Sequence, residues 1–111
     1  MNLITNTNHD EMIPLKFHLS QNYPNPFKEK TIIKYCVAFK TKVTITVSDY
    51  ENKLVETLVQ EEKEAGTYEV EFSAKGESTS GGNAHNLPSG IYFYQLKAGS
   101  FIETKKMLLL K

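Results

Sequence analysis

The sequence contains one cysteine, no excess of either charge and no long apolar run, and each shortage excludes a class of protein. With Cys36 alone, neither an internal disulfide nor a cysteine-based metal cluster can form. Thirteen basic residues balance thirteen acidic ones, so no overall field attracts nucleic acid or an anionic membrane surface. No apolar run is long enough to cross a bilayer. The composition therefore argues against a nucleic-acid-binding protein, a membrane-spanning segment and a disulfide-rich scaffold.

What remains is the composition of one globular domain. The chain has 111 residues, of which 40% are hydrophobic and 23% charged. The opening "MNLITNTNHDEM" has neither a basic n-region nor an apolar h-region, so it is not a signal peptide; an exported protein would carry its signal upstream. We expect residues 1–15 to be a disordered leader or linker and residues 16–111 to be the folded domain. The polar tract "KGESTSGGNAHN" predicts a flexible loop over residues 75–87.

Alternation of apolar and polar residues runs through most of the folded part and predicts strands. One series places Ile33, Tyr35 and Val37 on a single face, and "KVTITVSDY" is the most regular alternation. Seven segments have strand patterning with turn residues between them: "KFHLS", "TIIKYCVA", "KVTITVSDY", "LVETLVQEE", "AGTYEVEFSA", "SGIYFYQLKAG" and "FIETKKMLLLK". Apolar residues on both faces of "GIYFYQL" indicate a central or covered strand. Seven short strands and no secure helix predict an all-β sandwich.

Two of these segments leave alternatives open. In "LVETLV", apolar residues recur in pairs, a spacing also compatible with one or two helical turns; we favour a strand with a kink or bulge. In "KKMLLLK", either Met107 and Leu109 or Leu108 and Leu110 face the core. The other pair would then be exposed, or covered by a sheet or a partner, as suits a docking edge strand.

The sequence contains no pattern typical of catalysis, of a metal site or of a cofactor site. His9, His18 and His85 have no metal-ligand spacing, and Cys36 has no activating base nearby. The glutamates of residues 61–71 alternate with apolar residues or lie in a turn, so they predict a solvated strand face rather than an acid/base pair. We therefore expect no enzyme activity and no cofactor.

The stretch "SQNYPNPF" is unusual because it contains two aromatic residues and two prolines but no charged residue. Asn-Pro steps hold a chain extended or turned without ladder hydrogen bonds. We expect the two rings to fold back over one open end of the sandwich, with Phe27 mostly buried and Tyr23 partly buried.

In combination, several motifs resemble one protein family. "LSQNYPNPF", "TIIKYCV", "VTITVSDYENKLVETLV", "AGTYEVEFSA" and "LPSGIYFYQLKAGSFIETKKMLLLK" together resemble the C-terminal sorting domain of type IX (Por) secretion system cargo proteins. The resemblance covers about residues 17–111. Two departures are the "KEK" that follows Phe27, where the family usually continues with Asn-Pro, and the longer tract before "LPSG".

The resemblance implies an immunoglobulin-like, seven-stranded antiparallel β-sandwich that serves as the address of a larger exported protein. It implies transit through the periplasm and delivery to the cell surface or the medium. The implied partners are the translocon and shuttle proteins of the outer membrane and a sortase-like peptidase. The implied signal residues lie on two strands: Gly90, Tyr92, Tyr94, Leu96, Lys105, Lys106, Leu108, Leu110 and Lys111.

A second hypothesis is that the chain is an accessory module of a secreted enzyme, such as a carbohydrate-binding or spacer domain. Carbohydrate binding would require an exposed aromatic platform, for which Tyr23, Phe27 and Phe93 are the candidates.

Overall fold

A computed structural model describes residues 16–74 and 87–111. The expected disordered leader, residues 1–15, and all but Leu87 of the expected flexible loop lie outside the described residues. The two flanks of the second gap meet, because Leu87 N donates a hydrogen bond to Ala74 O at 3.2 Å.

The described residues form seven strands, as the alternation predicts. Their bounds are β1 His18–Leu19, β2 Lys30–Val37, β3 Thr41–Asp49, β4 Leu54–Lys63, β5 Gly66–Ser73, β6 Gly90–Ala98 and β7 Phe101–Leu109.

The strands form two antiparallel sheets, one of three strands in the order β1-β2-β5 and one of four in the order β4-β3-β6-β7. This division of seven strands matches an immunoglobulin-like sandwich and confirms the predicted fold class. Strand β6 lies between β3 and β7, as its two apolar faces predict. Strand β7 is an edge strand, next to β1 of the opposite sheet.

The core is built from alternate residues of the facing sheets, which is the pattern that a half-buried strand requires. The predicted inward series on β2 and β3 are fully buried, and Phe72 of β5 is buried with them. The inward side chains of β2, β3 and β6 are Ile33, Tyr35, Val37, Val43, Ile45, Val47, Tyr92, Tyr94 and Leu96.

The ambiguous segment is strand β4, and its helix-like spacing has a structural cause. The register against β3 shifts between Ile45, which pairs with Val59, and Thr46, which pairs with Thr57. Leu58 is therefore an extra residue on the β4 side, and the bulge allows Leu58 and its neighbour Val59 both to be buried. A pair of adjacent buried residues imitates helical periodicity. The prediction of a strand with a bulge is confirmed.

The alternative left open for the last strand is settled by burial. Met107 and Leu109 are buried in the core, whereas Leu108 is half-buried and Leu110 is 47% exposed. The edge strand thus carries one apolar row inward and a second apolar row outward. An uncovered edge strand with apolar outer residues can pair with another strand or bind a partner. What covers this edge therefore determines whether it is available for binding.

Candidate functional site

On β6, the residues implied as signal elements face inward. Tyr94 and Leu96 are completely buried and Tyr92 is 4% exposed. Gly90 starts the strand with a φ of +153°, a conformation that residues with side chains rarely adopt. These side chains therefore cannot touch a partner while the domain is folded, and they contribute first to the core.

Two of the inward tyrosines also have hydroxyl groups that anchor backbone. Tyr92 Oη donates to Pro88 O, four residues upstream, at 2.7 Å, the arrangement called a tyrosine corner in immunoglobulin-like sandwiches. Tyr94 Oη crosses to the opposite sheet, donates to Ser20 O at 2.6 Å and accepts from Asn22 N at 2.8 Å. A single phenol thus joins β6 to the chain that follows β1.

The environment of Tyr94 changes its acidity. Burial raises the pKa of Tyr94 to about 12, with the hydrogen bond from Asn22 lowering it and the negative charge of Glu103 raising it further. Burial also raises the pKa of Tyr35 to about 12, with smaller contributions from Tyr68 and Glu61. Both phenols are held neutral well above their ordinary pKa of 10.

On β7, the implied signal residues face in different directions. Lys105 belongs to the inward row, although its side chain is 28% exposed. Its Nζ lies 3.4 Å from Glu103 Oε2. The outward row contains Lys106, Leu108 and Leu110. Lys111 is exposed, and its backbone N donates to Ser89 Oγ at 2.9 Å. Only part of the implied set is therefore available at the surface.

The outward residues of β7 join those of β6 in one surface, which we call the outer patch. Leu108 pairs with Ile91, and Lys106 pairs with Phe93. Because paired residues of neighbouring strands share a face, these four side chains are adjacent. Leu110 extends the row beyond the strand end. Ile91 is 42% exposed, so the outer patch is an apolar surface that carries one lysine.

The free edge of β7 is partly covered by residues 21–27, which we call the edge loop. Gln21 Nε2 donates to Lys106 O at 2.8 Å, and Asn25 Oδ1 accepts from Leu108 N at 2.9 Å. Phe27 then pairs as a parallel bridge, donating from its N to Leu108 O and accepting at its O from Leu110 N. The C-terminal half of the edge is thereby closed to strand addition.

Asn22 organises the edge loop, and the sequence analysis did not identify it. Its side chain is buried; Nδ2 donates to Thr31 Oγ1 at 2.9 Å and to Pro24 O at 3.1 Å, and Oδ1 accepts from Gln21 Nε2 at 2.7 Å. An asparagine next to a Pro-containing turn is a common turn organiser, which is the signal that could have identified it.

The structure confirms the predicted burial of one aromatic residue of the edge loop and contradicts that of the other. Phe27 is 1% exposed and lies 6.1 Å from Phe72, ring centroid to ring centroid, which confirms its predicted burial. The prediction that Tyr23 is partly buried is wrong, because its side chain is 80% exposed. The backbone of Tyr23 pairs with Ile32, a residue on the outward row of β2, so its ring points away from the core.

Replacing Asn22 with alanine is expected to destabilise the domain by about 1–3 kcal/mol, because Thr31 Oγ1 and Pro24 O lose the hydrogen bonds that Asn22 donates. Urea denaturation followed by circular dichroism measures the change. Asn25→Ala is the matched control: among the described residues this exposed side chain accepts one hydrogen bond, from Leu108 N, and its loss should cost about 0.5–1.5 kcal/mol. Equal losses for the two variants would contradict the organising role of Asn22.

Comparison with known proteins identifies the family. The sequence model described as "Secretion system C-terminal sorting domain" matches residues 21–110, most of the chain. The chain belongs to this family. Sorting domains of this family mark exported proteins for type IX secretion, which delivers them to the cell surface or releases them. The function implied by the sequence motifs is thereby confirmed.

A solved structure supports the fold of the sorting domain. The chain is similar to part of the crystal structure of dimeric latent PorU from Porphyromonas gingivalis, with a TM-score of 0.62 and 15% sequence identity. The match covers 86% of this chain and 9% of the PorU chain. At this identity the likeness concerns the fold alone. No curated protein sequence matches the chain.

Within residues 16–74 and 87–111 of the sorting domain, no group of three or more His, Cys, Asp or Glu side chains could hold a metal ion. His9 and His85 lie outside this part. Cys36 Sγ lies 3.8 Å from Thr67 Oγ1. Several glutamates form exposed ion pairs, as in Glu61 with Lys63 at 2.8 Å and Glu64 with Lys40 at 3.6 Å. The described residues also contain no helix long and apolar enough to cross a membrane.

Proposed function

We propose that the outer patch, together with Lys111, is the surface that the type IX machinery binds, and that the domain acts without catalysis. The observation that carries this proposal is the outward row of β7, where Leu108 and Leu110 lie beside Ile91 although the fold does not need them in the core. An exposed apolar row flanked by lysines suits a protein partner that desolvates the row and pairs with the charges.

In this proposal eight of the nine implied signal residues divide into two separate roles. Tyr92, Tyr94 and Leu96 hold β6 in the core, and Gly90 allows the strand to start. Lys106, Leu108, Leu110 and Lys111 supply the contact surface. Lys105, the ninth, pairs with Glu103 on the inward row of β7. The folded unit is residues 16–111, and its partners are translocon or shuttle proteins and a sortase-like peptidase.

Deleting residues 105–111 would be a poor test, since it removes Met107 and Leu109 from the core and the backbone partners of Phe27. A surface substitution separates recognition from folding. We expect Leu110→Glu, in a reporter that carries its own signal peptide and this domain in a type IX-competent host, to reduce surface delivery about tenfold or more. That factor corresponds to roughly 1.4 kcal/mol of lost binding free energy.

Leu54→Glu is the matched control, because Leu54 is a 63% exposed leucine at the start of β4, on the opposite edge of the same sheet. It should leave delivery unchanged. Thermal unfolding of both purified variants verifies that they are folded. Normal delivery of a folded Leu110→Glu variant, or an equal loss in Leu54→Glu, would show that the outer patch is not the recognised surface.

A further inference from the structure

Tyr23 projects from a rigid part of the molecule. Its N donates to Ile32 O and its O accepts from Ile32 N, both at 2.9 Å, so its backbone is held as an extra sheet partner of β2. The preceding residue is the buried Asn22. An aromatic side chain on such a backbone loses only its own rotamer freedom when it binds a ligand, which lowers the entropic cost of binding.

Among the residues that the structure describes, the ring of Tyr23 does not contribute to packing. Tyr23 is 80% exposed, whereas Phe27 of the same loop fills the core and Tyr94 holds the loop from the opposite sheet. Removing the ring would thus leave the hydrogen bonds of Asn22 and the pairing of Phe27 in place. A rigid, exposed aromatic ring without a packing role is available for a ligand.

The ring lines a groove of about 390 Å³ on the outer face of the three-stranded sheet, together with Gln21, Ile32, Lys34 and Glu69. This volume is within the range of small-molecule sites, roughly 300–1,000 Å³. Lys34 Nζ and Glu69 Oε2 lie 3.9 Å apart and remain largely exposed, so they offer a donor and acceptors while their charges compensate each other. The groove therefore favours a neutral, hydroxyl-rich ligand over a phosphate or a charged peptide.

From this geometry we infer that the groove is a carbohydrate-binding subsite, in which the apolar face of a neutral pyranose stacks on Tyr23 and its hydroxyl groups bond to Lys34 and Glu69. Sugar C–H groups carry partial positive charge and match the negative face of an aromatic ring. The site lies on the sheet opposite to the outer patch, so it goes beyond the sorting function and does not depend on it. Such a site would let the folded domain touch glycans while another face is recognised.

The test uses the full 111-residue chain labelled with ¹⁵N. Methyl β-D-glucopyranoside, methyl β-D-galactopyranoside and methyl α-D-mannopyranoside are titrated separately into the tens of millimolar range. We expect at least one of them to give saturable amide shifts centred on Tyr23, Lys34 and Glu69, with a Kd on the order of millimolar. Tyr23→Ala should weaken binding about fivefold to tenfold, the effect of losing one stacking ring, whereas Tyr23→Phe should retain most of it.

Tyr50→Ala is the matched control, because Tyr50 is a comparably exposed tyrosine (74%) in another part of the molecule, and it should bind normally. Three results would overturn the inference: no saturable shift with any of the three glycosides, shifts centred elsewhere, or unchanged affinity in a folded Tyr23→Ala variant. A neutral extended peptide that occupies the groove where the glycosides do not would also overturn it, in favour of a peptide-binding site.

Discussion

Tyr94→Ala is expected to destabilise the domain by about 3–5 kcal/mol, a large part of the roughly 5–15 kcal/mol that holds a small domain folded. The substitution empties a fully buried position at the centre of β6. It also deprives Ser20 O and Asn22 N of the hydroxyl that both use. The midpoint of urea denaturation measures the loss. In the secretion assay, any loss of delivery in this variant should follow its loss of stability rather than the loss of a surface contact, because Tyr94 is buried.

Tyr94→Phe isolates the hydroxyl, since the ring and its packing remain. We expect a loss of about 1–3 kcal/mol, because two backbone groups in a buried position lose their partner. Tyr92→Phe is the matched control, because its hydroxyl donates to one described backbone group, Pro88 O, and it should lose about 0.5–1.5 kcal/mol. If Tyr94→Phe is as stable as the parent, the bond from β6 to the edge loop does not contribute to stability.

The domain is expected to lose stability steeply between pH 10 and 12. Tyr35 and Tyr94 have a pKa of about 12 when folded, above the ordinary value of 10. A phenol with a raised folded pKa contributes stability that is fully present below pH 10 and is lost as the pH rises to about 12, because the unfolded chain releases its proton first. Two pKa units correspond to roughly 2–3 kcal/mol for each tyrosine.

Urea midpoints at several pH values measure this loss, and tyrosinate absorbance reports when the buried phenols ionise. Other groups also titrate in this range, so the stability of the parent is compared with that of Tyr94→Phe at each pH. The advantage of the parent should shrink by roughly 2–3 kcal/mol from pH 10 to 12. A constant difference across this range would show that Tyr94 is not protected from ionisation by the fold.

The strands and the inward rows were predictable because alternation depends on local sequence alone. Ile33, Tyr35 and Val37 could be assigned to one face without any knowledge of their partners. The division into three and four strands could not be predicted this way, since it depends on which edges pair. The buried pair Leu58 and Val59 was ambiguous because a bulge breaks the alternation that marks a strand.

The edge loop shows where local reasoning ends. The burial of Phe27 was predicted from its size and its Pro-rich setting, but the same reasoning gave the wrong result for Tyr23. The two rings differ because Phe27 bridges to β7, while Tyr23 bridges to β2 with its ring outward. Asn22 was missed because its burial depends on how the edge loop packs: its side chain bonds to Thr31 on β2, nine residues away, and its backbone N bonds to Tyr94, 72 residues away.

The sequence predicted which two strands contain the candidate site, but not which of their residues form a surface. The family motifs identified β6 and the end of β7, yet only the structure separates Tyr94, which is buried, from Leu110, which is exposed. A family motif marks a residue as part of the signal but does not say why. A buried motif residue contributes to folding, whereas an exposed one can contact a partner. This distinction determines the choice of Leu110, rather than a deletion of the strand, for the secretion test.

The closure of β7 by the edge loop also sets the order of folding events. Gln21 and Asn25 find their partners 85 and 83 residues later, so these contacts form only after β7 has been synthesised. Contacts of such separation require a costly loop closure and are typical of domains that fold in milliseconds to seconds. A nascent chain interrupted before β7 would lack this closure, and its address would be incomplete. The edge loop therefore reaches its closed conformation only in a chain that includes β7.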